Sequence, residues 1–151
     1  MKRLMAIVLA AVLLLGLAAC GGGGKNADLS GVYESMEATL PDMILADETL
    51  MLNMFGIKAE DCEQVVVAFC GDGLKADEVW LIEAKDTDAL ERIQGLAENR
   101  VKAKAAETEF YLPDQYAVVQ EGEIITQGNY LALLVSPDVD TLKGLFEKAV
   151  K

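Results

Sequence analysis

The chain has 151 residues, with 13 Lys and Arg against 25 Asp and Glu, and its formal net charge is −12 at pH 7. This charge argues against nucleic acid as a ligand and favours cationic or neutral partners, unless it serves only to keep the protein in solution. Histidine is absent, which removes the commonest general base and the usual nitrogen ligand of zinc or copper.

The first twenty residues are organised like a secretion signal. Lys2 and Arg3 precede an apolar run over residues 4–19, and two alanines stand directly before Cys20. The run is 16 residues long, fewer than the ~20 that a helix needs to cross a bilayer. Small residues before Cys20 suit a cleavage site. A transmembrane anchor is the alternative interpretation.

The segment Leu17-Ala18-Ala19-Cys20 resembles the lipobox of bacterial lipoproteins. The resemblance implies cleavage between Ala19 and Cys20 and a thioether-linked diacylglycerol on Cys20. It therefore implies a protein that contacts the membrane lipid through Cys20, at the extracytoplasmic face of the cell membrane. Two or three acyl chains anchor a protein durably, whereas one holds only marginally.

Three segments follow from this interpretation. Residues 1–19 form the signal peptide, residues 20–27 the lipidated cysteine with a Gly-rich tether, and residues 28–151 a single α+β domain. Without the signal, 11 of the 13 basic residues remain against 25 acidic ones, a net charge of −14. The four glycines after Cys20 predict a flexible tether with a span on the order of 15 Å.

Two short helices are predicted at the start of the domain. Apolar residues recur every three or four positions over residues 28–40, which predicts a helix that ends before Pro41. A second helix is predicted over residues 47–55, with Asp47 as its N-cap and Gly56 ending it in the left-handed conformation.

The middle of the chain predicts a hairpin followed by a long helix. Residues 65–70 are apolar on both faces and predict a doubly buried strand, the turn lies at residues 71–73, and residues 78–84 form the returning strand. Asp86 or Thr87 begins the helix. Its inner stripe is Leu90, Ile93, Ala97 and Val101.

After Pro113 the same pattern recurs, with extended segments at residues 116–120, 123–126 and 130–135. Ser136-Pro137-Asp138 then begins the last helix, with Ser136 as the cap and Pro137 at its first position. The buried stripe of this helix is Val139, Leu142, Phe146 and Val150.

Two hairpin-helix units predict an α+β fold with an antiparallel sheet of four to five strands. We expect both long helices on one face of the sheet and the two N-terminal helices over the second face. If the second face is uncovered, it becomes the expected binding surface.

The sequence offers no catalytic constellation, no metal site and no cofactor site. The three serines, Ser30, Ser35 and Ser136, lie outside any Gly-x-Ser-x-Gly elbow. Cys62 and Cys70 flank an extended segment about 20 Å long, too far apart for a disulfide, so free thiols are expected rather than a redox pair.

Two patterns in the sequence suggest a metal site, and a structural role explains each of them better. Four methionines within nineteen residues suggest copper(I), but their helical spacing favours the core: Met36, Met43, Met51 and Met54. The pairs Asp86-x-Asp88 and Asp138-x-Asp140 suggest calcium, yet neither continues into a calcium loop, and first-turn helix acids explain both.

Three of the four tyrosines, Tyr111, Tyr116 and Tyr130, fall at loop junctions. Tyrosine buries a large ring while its hydroxyl finds polar partners, so these residues are a candidate recognition patch. The alternative is that they close the ends of the sheet.

The chain as a whole resembles a family of small Gram-positive lipoproteins known only as a domain of unknown function. The resemblance rests on the lipobox and four motifs: Asp28-Leu29-Ser30, Phe55-Gly56-Ile57, Tyr111-Leu112-Pro113-Asp114-Gln115-Tyr116 and Gly128-Asn129-Tyr130. It implies a single membrane-anchored domain and brings no activity, cofactor or catalytic residue.

We therefore expect a non-enzymatic module that binds or assembles with an exported or membrane protein. The alternative is a small-ligand protein serving a transporter or sensor, with its unknown ligand between the sheet and the N-terminal helices. An enzyme with paired carboxylates, as in cell-wall glycosidases, ranks last because no aromatic-lined cleft is evident.

Overall fold

The computed structural model describes residues 26–151, so the predicted signal, lipobox and glycine run lie outside the described residues. Five α-helices occur in the described part: α1 Leu29–Met36, α2 Glu48–Leu50, α3 Thr87–Thr108, α4 Pro113–Gln120 and α5 Val139–Ala149. Five strands accompany them: β1 Met43–Leu45, β2 Cys62–Cys70, β3 Glu78–Ala84, β4 Glu123–Gln127 and β5 Tyr130–Val135.

The strands form one antiparallel sheet in the order β1-β2-β3-β5-β4. Two hairpins, β2-β3 and β4-β5, are joined in the middle, where Trp80 of β3 pairs with Leu133 of β5. The predicted α+β class and the antiparallel sheet of four to five strands are confirmed. The edge strand β1 was not predicted.

The predicted placement of the helices on the two faces is wrong. One face of the sheet packs against α3 and the segment after α2, with Ile93, Phe55 and Trp80 in its core. The other face packs against α1 and α5, with Met36 and Phe146 in its core. Each face thus receives one long and one N-terminal helix. The central strands are apolar on both sides, and burying both faces needs more surface than the two short helices supply.

Aspartate caps fix three of the helix starts, and the one at Asp47 was predicted. The Oδ1 atoms of Asp28, Asp47 and Asp86 accept hydrogen bonds from backbone N–H groups three residues later, at 3.3, 2.8 and 2.8 Å. After α2 the chain continues as a π-helical turn, Met51–Phe55. This turn ends at Gly56, which has a φ of 72°. The left-handed conformation at Gly56 confirms the predicted stop.

Residues 116–120, predicted as extended, belong to α4. Pro113 lies at the start of this helix and Asp114 in its first turn, and both favour a helix start over the β-propensity of the valines that follow. The last helix begins two residues later than predicted, after Asp138, while Ser136 Oγ accepts a hydrogen bond from the Asp138 N–H at 3.3 Å. Its predicted stripe is buried.

Candidate functional site

The chain enters and leaves the described fold at the same end of the sheet, which we call the proximal end. The Ala27 N–H donates to the Tyr130 hydroxyl at 3.2 Å, and Gln64 Nε2 donates to the Ala27 carbonyl at 2.8 Å and to Glu83 Oε2 at 2.7 Å. Near the C-terminus, Gln127 Nε2 donates to a main-chain carbonyl of the last helix turn at 3.0 Å. Both chain ends are therefore fastened to β2–β5 at this end.

The opposite, distal end of the sheet lies where β2 ends, β3 and β4 begin, and β5 ends. Register places it there, because Glu78 pairs with Val135 and Glu123 with Leu134. The helix α3 starts at the proximal end after Ala84 and runs 22 residues, about 33 Å, so its C-terminus also reaches the distal end.

Three large apolar side chains are exposed on the turns at the distal end, and we call them the distal patch. They are Leu74, Phe110 and Tyr111, which are 66%, 79% and 85% exposed. Leu74 lies in the β2-β3 turn, and the other two lie between α3 and α4. Gln115 of α4 links the two loops, because its Oε1 accepts a hydrogen bond from the Ala76 N–H at 2.8 Å.

Local hydrogen bonds hold the backbone of the patch in place. Asp72 Oδ1 accepts from the Leu74 N–H at 2.9 Å, which is the short-range turn that Asp favours. The Thr108 carbonyl accepts from the N–H groups of Tyr111 at 3.3 Å and Leu112 at 2.9 Å. The apolar side chains are thus presented on ordered turns rather than on a free terminus.

Exposed carboxylates surround the distal patch in the sequence, and we call them the acidic rim. They are Asp72, Glu107, Glu109 and Asp114. The one exposed cation within the two loops is Lys75. The two loops and the helix ends beside them therefore carry exposed carboxylates close in sequence to the exposed apolar side chains.

A buried ionic cluster lies beneath the distal end. The side chain of Glu78 is fully buried, and it accepts from Arg100 Nε at 2.9 Å and Nη2 at 2.8 Å and from Lys104 Nζ at 3.1 Å. Trp80 Nε1 also donates to Glu78 Oε1 at 2.9 Å. The Arg100 guanidinium lies 5.2 Å from the centroid of the Phe55 ring, a cation–π distance.

The cluster is closed rather than reactive. Both oxygens of Glu78 are occupied, and among residues 26–151 no buried side-chain polar atom lacks a hydrogen-bond partner. Within the same residues no group of three or more Cys, Asp or Glu is arranged to hold a metal ion. The cluster joins α3 to β3.

Cys62 and Cys70 lie at opposite ends of β2 and form no disulfide, as predicted. Cys62 is buried at the proximal end, and burial raises the pKa of its thiol to about 11. Cys70 is half-buried at the distal end. The methionine prediction holds for Met36 and Met51, which are buried, and is wrong for Met54, which is exposed.

The structure separates Tyr130 from the other two tyrosines of the predicted recognition patch. Tyr111 is exposed at the distal end, and Tyr116 is half-buried on α4, seven residues before the start of β4. Tyr130 lies at the proximal end and closes it through the bond to Ala27. Since β5 spans six residues, about 17 Å of strand separates Tyr130 from the distal end.

Sequence reasoning missed Leu74 and did not weigh Phe110. A signal for Leu74 was available, because it is a large apolar residue within the turn Gly71–Lys75, where polar and small residues are usual. Phe110 stands next to Tyr111 between a helix C-terminus and Pro113. Both positions fall outside the periodic stripes that core packing explains.

The space predicted for a small ligand is filled by core side chains. Leu29, Met36 and Phe55 of the N-terminal segments are buried against the sheet. A groove of about 400 Å³ runs outside this packing, between α1 and the β1 edge. It is lined by Ser30, Tyr33, Glu34, Glu37, Leu45 and Val66.

Comparison with known proteins gives one match. A family model described as "Domain of unknown function (DUF4358)" matches residues 36–136, which is more than half of the chain and covers the whole sheet. No curated protein and no solved structure matches the chain. Within residues 26–151, every helix is too short or too polar to cross a bilayer.

Proposed function

We propose that this chain, which belongs to the DUF4358 family of domains of unknown function, is a lipid-anchored extracytoplasmic module. Its domain binds another exported or membrane protein and catalyses no reaction. The lipobox-like segment supports the anchor at Cys20, and the distal patch supports the binding role.

The observation that carries the binding role is the position of the distal patch. Leu74, Phe110 and Tyr111 project at the end of the sheet that lies farthest from Ala27. A lipid on Cys20 would tie the proximal end to the membrane through the flexible tether and would leave the distal end free to meet a partner. Exposed apolar patches with polar borders are typical of protein interaction sites.

The residue types of the patch also favour a protein partner. Aromatic residues are enriched at the centres of protein interfaces, where they contribute most of the binding energy. An exposed Phe and Tyr on consecutive positions give an isolated domain no stability, because neither ring is removed from water. A binding role explains both positions, whereas core packing explains neither.

The anchor is tested by labelling cells with an alkyne analogue of palmitate. The unsubstituted chain is expected to carry the label, and Cys20→Ala is expected to lose it. Cys70→Ala is the matched control, since it removes a different half-exposed thiol and keeps the lipobox. Label on the Cys20→Ala protein would contradict the proposed anchor.

The binding role is tested by replacing Tyr111 with a photo-reactive phenylalanine analogue in living cells. Irradiation is expected to give a discrete protein adduct in the lipid-anchored chain. The same analogue at Leu52, which is 50% exposed on the turn after α2, is the matched control and is expected to give none. Absence of an adduct at Tyr111 would overturn the proposed binding site.

The groove between α1 and β1 supports a second candidate, a small-ligand protein serving a transporter or sensor. Its volume lies within the usual range of small-molecule sites, about 300 to 1,000 Å³. Glu34 and Glu37 at its border favour a cationic ligand. A panel of cationic metabolites is expected to raise the melting temperature, and Glu34→Gln to remove the shift; a flat panel would contradict this candidate.

A further inference from the structure

We infer that the partner of the distal patch presents an apolar centre within a basic border, an inference that rests on the proposed function. The observation behind this inference is the acidic rim. Asp72 and Glu109 each lie within two residues of an exposed apolar side chain, and Asp114 opens the helix that follows. A protein that covers the patch must therefore place its own border against these carboxylates.

Three of the cations near this end pair with other carboxylates. Arg100 and Lys104 both bind Glu78 in the interior, at 2.8 and 3.1 Å. Lys143 of α5 pairs with Glu123 at the start of β4, at 2.7 Å. Lys75 in the β2-β3 turn and Lys102 on α3 are the exposed cations near this end, against four exposed carboxylates. The potential over the patch is consequently negative.

The negative charge of the acidic rim favours some of the molecules that could cover the distal patch over others. A second copy of the chain would bring one acidic rim against another, and like charges in contact cost several kcal/mol. An anionic bilayer surface is disfavoured for the same reason. A polypeptide surface with Lys or Arg around apolar side chains complements both the centre and the border of the patch.

A partner that covers the distal patch would also remove water from carboxylates of the acidic rim. Asp72 accepts the Leu74 N–H through its own side chain at 2.9 Å, so its carboxylate cannot move away from the apolar centre without losing the turn. Glu109 precedes Phe110 directly in the chain. Charges in such positions steer association and set its salt dependence more than they set affinity.

The test reverses the rim charge without disturbing the fold. The variant Glu107→Lys with Glu109→Lys places two cations at the C-terminal end of α3, where the helix dipole favours them. The matched control, Glu91→Lys with Glu98→Lys, makes the same charge change at exposed positions of the same helix. Circular dichroism checks that both variants fold.

Both variants carry the photo-reactive analogue at Tyr111, and the adduct yield in cells is the readout. Reversal of the rim is expected to lower the yield at least about tenfold, because cations then face cations. The control is expected to stay within about twofold of the unsubstituted chain. Sequencing of the cross-linked peptide is expected to find Lys or Arg around apolar residues.

The outcomes separate this inference from the proposed function. A protein adduct whose yield is unchanged by rim reversal, or whose cross-linked peptide is acidic, overturns the basic partner and leaves the binding role intact. An adduct to a second copy of the chain or to lipid also overturns it. Absence of any adduct at Tyr111 in the unsubstituted chain overturns the proposed function first.

Discussion

The two ends of the sheet are built differently, although the same strands supply both. At the proximal end, Gln64 and Tyr130 bind the incoming chain at Ala27 through side-chain hydrogen bonds. At the distal end, Phe110 and Tyr111 are left exposed above a buried ionic cluster. The comparison shows that one end fastens the incoming chain, whereas the other end leaves large apolar side chains exposed.

The two ends of the sheet also differ in the buried interactions that support them. The proximal bonds are among neutral amides, hydroxyls and a half-buried carboxylate, whereas the distal end is supported by a buried carboxylate with two cations. Removal of one member of a buried charge group leaves the others without compensation. Mutation of the buried charge group under the distal patch should therefore lower the free energy of unfolding more than mutation of the proximal hydrogen bonds.

The largest expected effect is on stability, from Glu78→Ala. It leaves Arg100 and Lys104 buried without a counter-charge, which is expected to cost about 3–5 kcal/mol of unfolding free energy. Urea unfolding measures it. The matched control is Glu123→Ala, which breaks a half-exposed pair with Lys143 and is expected to cost at most about 1 kcal/mol. Equal costs would show that the distal end has no special support.

The next largest effect is on the reactivity of the two cysteine thiols. Cys62 and Cys70 lie at the two ends of β2 and therefore report on the two ends of the sheet. With the pKa of Cys62 at about 11, roughly one molecule in a thousand carries its thiolate at pH 8. In a Cys20→Ala background, we expect Cys70 to react with a thiol reagent first. Cys62 is expected to react on the order of a hundredfold more slowly than an ordinary free thiol.

The pH dependence gives the control for this prediction. The rate at Cys62 should rise about tenfold per pH unit until the pH reaches its pKa, because only the thiolate attacks. Cys70→Ala should leave only this slow phase. A fast phase in the Cys70→Ala protein would contradict the burial of the proximal end of β2.

Much of the fold was readable from local chemistry. The strand 78–84 and the helix start after Asp86 were predicted with their observed bounds, because the apolar run and the aspartate cap act locally. The prediction failed for residues 116–120, where a proline start outweighs β-propensity. It also failed for the layers, since the choice of face depends on the total apolar area of the sheet and not on any single segment.

The candidate site was less accessible from sequence. Tyr111 was singled out as a candidate recognition residue, and the structure leaves it exposed. Its distance from Tyr130 depends on the strand order β3-β5-β4, which periodicity does not reveal. Glu78 was read only as the first residue of a strand. Its partners lie on α3, 22 and 26 residues further along the chain, and spacing of that kind carries no local signal.

A smaller effect is expected at the proximal end from Gln64→Ala. This change removes the bonds to the Ala27 carbonyl and to Glu83, together with the acceptor of the Leu29 N–H at 3.2 Å. We expect a loss of about 1–3 kcal/mol and faster hydrogen exchange at Leu29. Gln127→Ala, which loses one bond near the C-terminus, is the control and should leave exchange at Leu29 unchanged.

The smallest expected effect on stability is at the distal patch itself. The double change Leu74→Ser with Phe110→Ser alters two exposed side chains, and the unfolding free energy is expected to stay within about 0.5 kcal/mol. Phe55→Ala is the contrast, because that ring is buried against Trp80 at 5.5 Å between centroids and its loss is expected to cost about 3–5 kcal/mol. Loss of the Tyr111 photo-adduct in the Leu74→Ser, Phe110→Ser protein, at unchanged stability, would assign these residues to binding alone. A destabilised double variant would instead place them in the packing of the distal end.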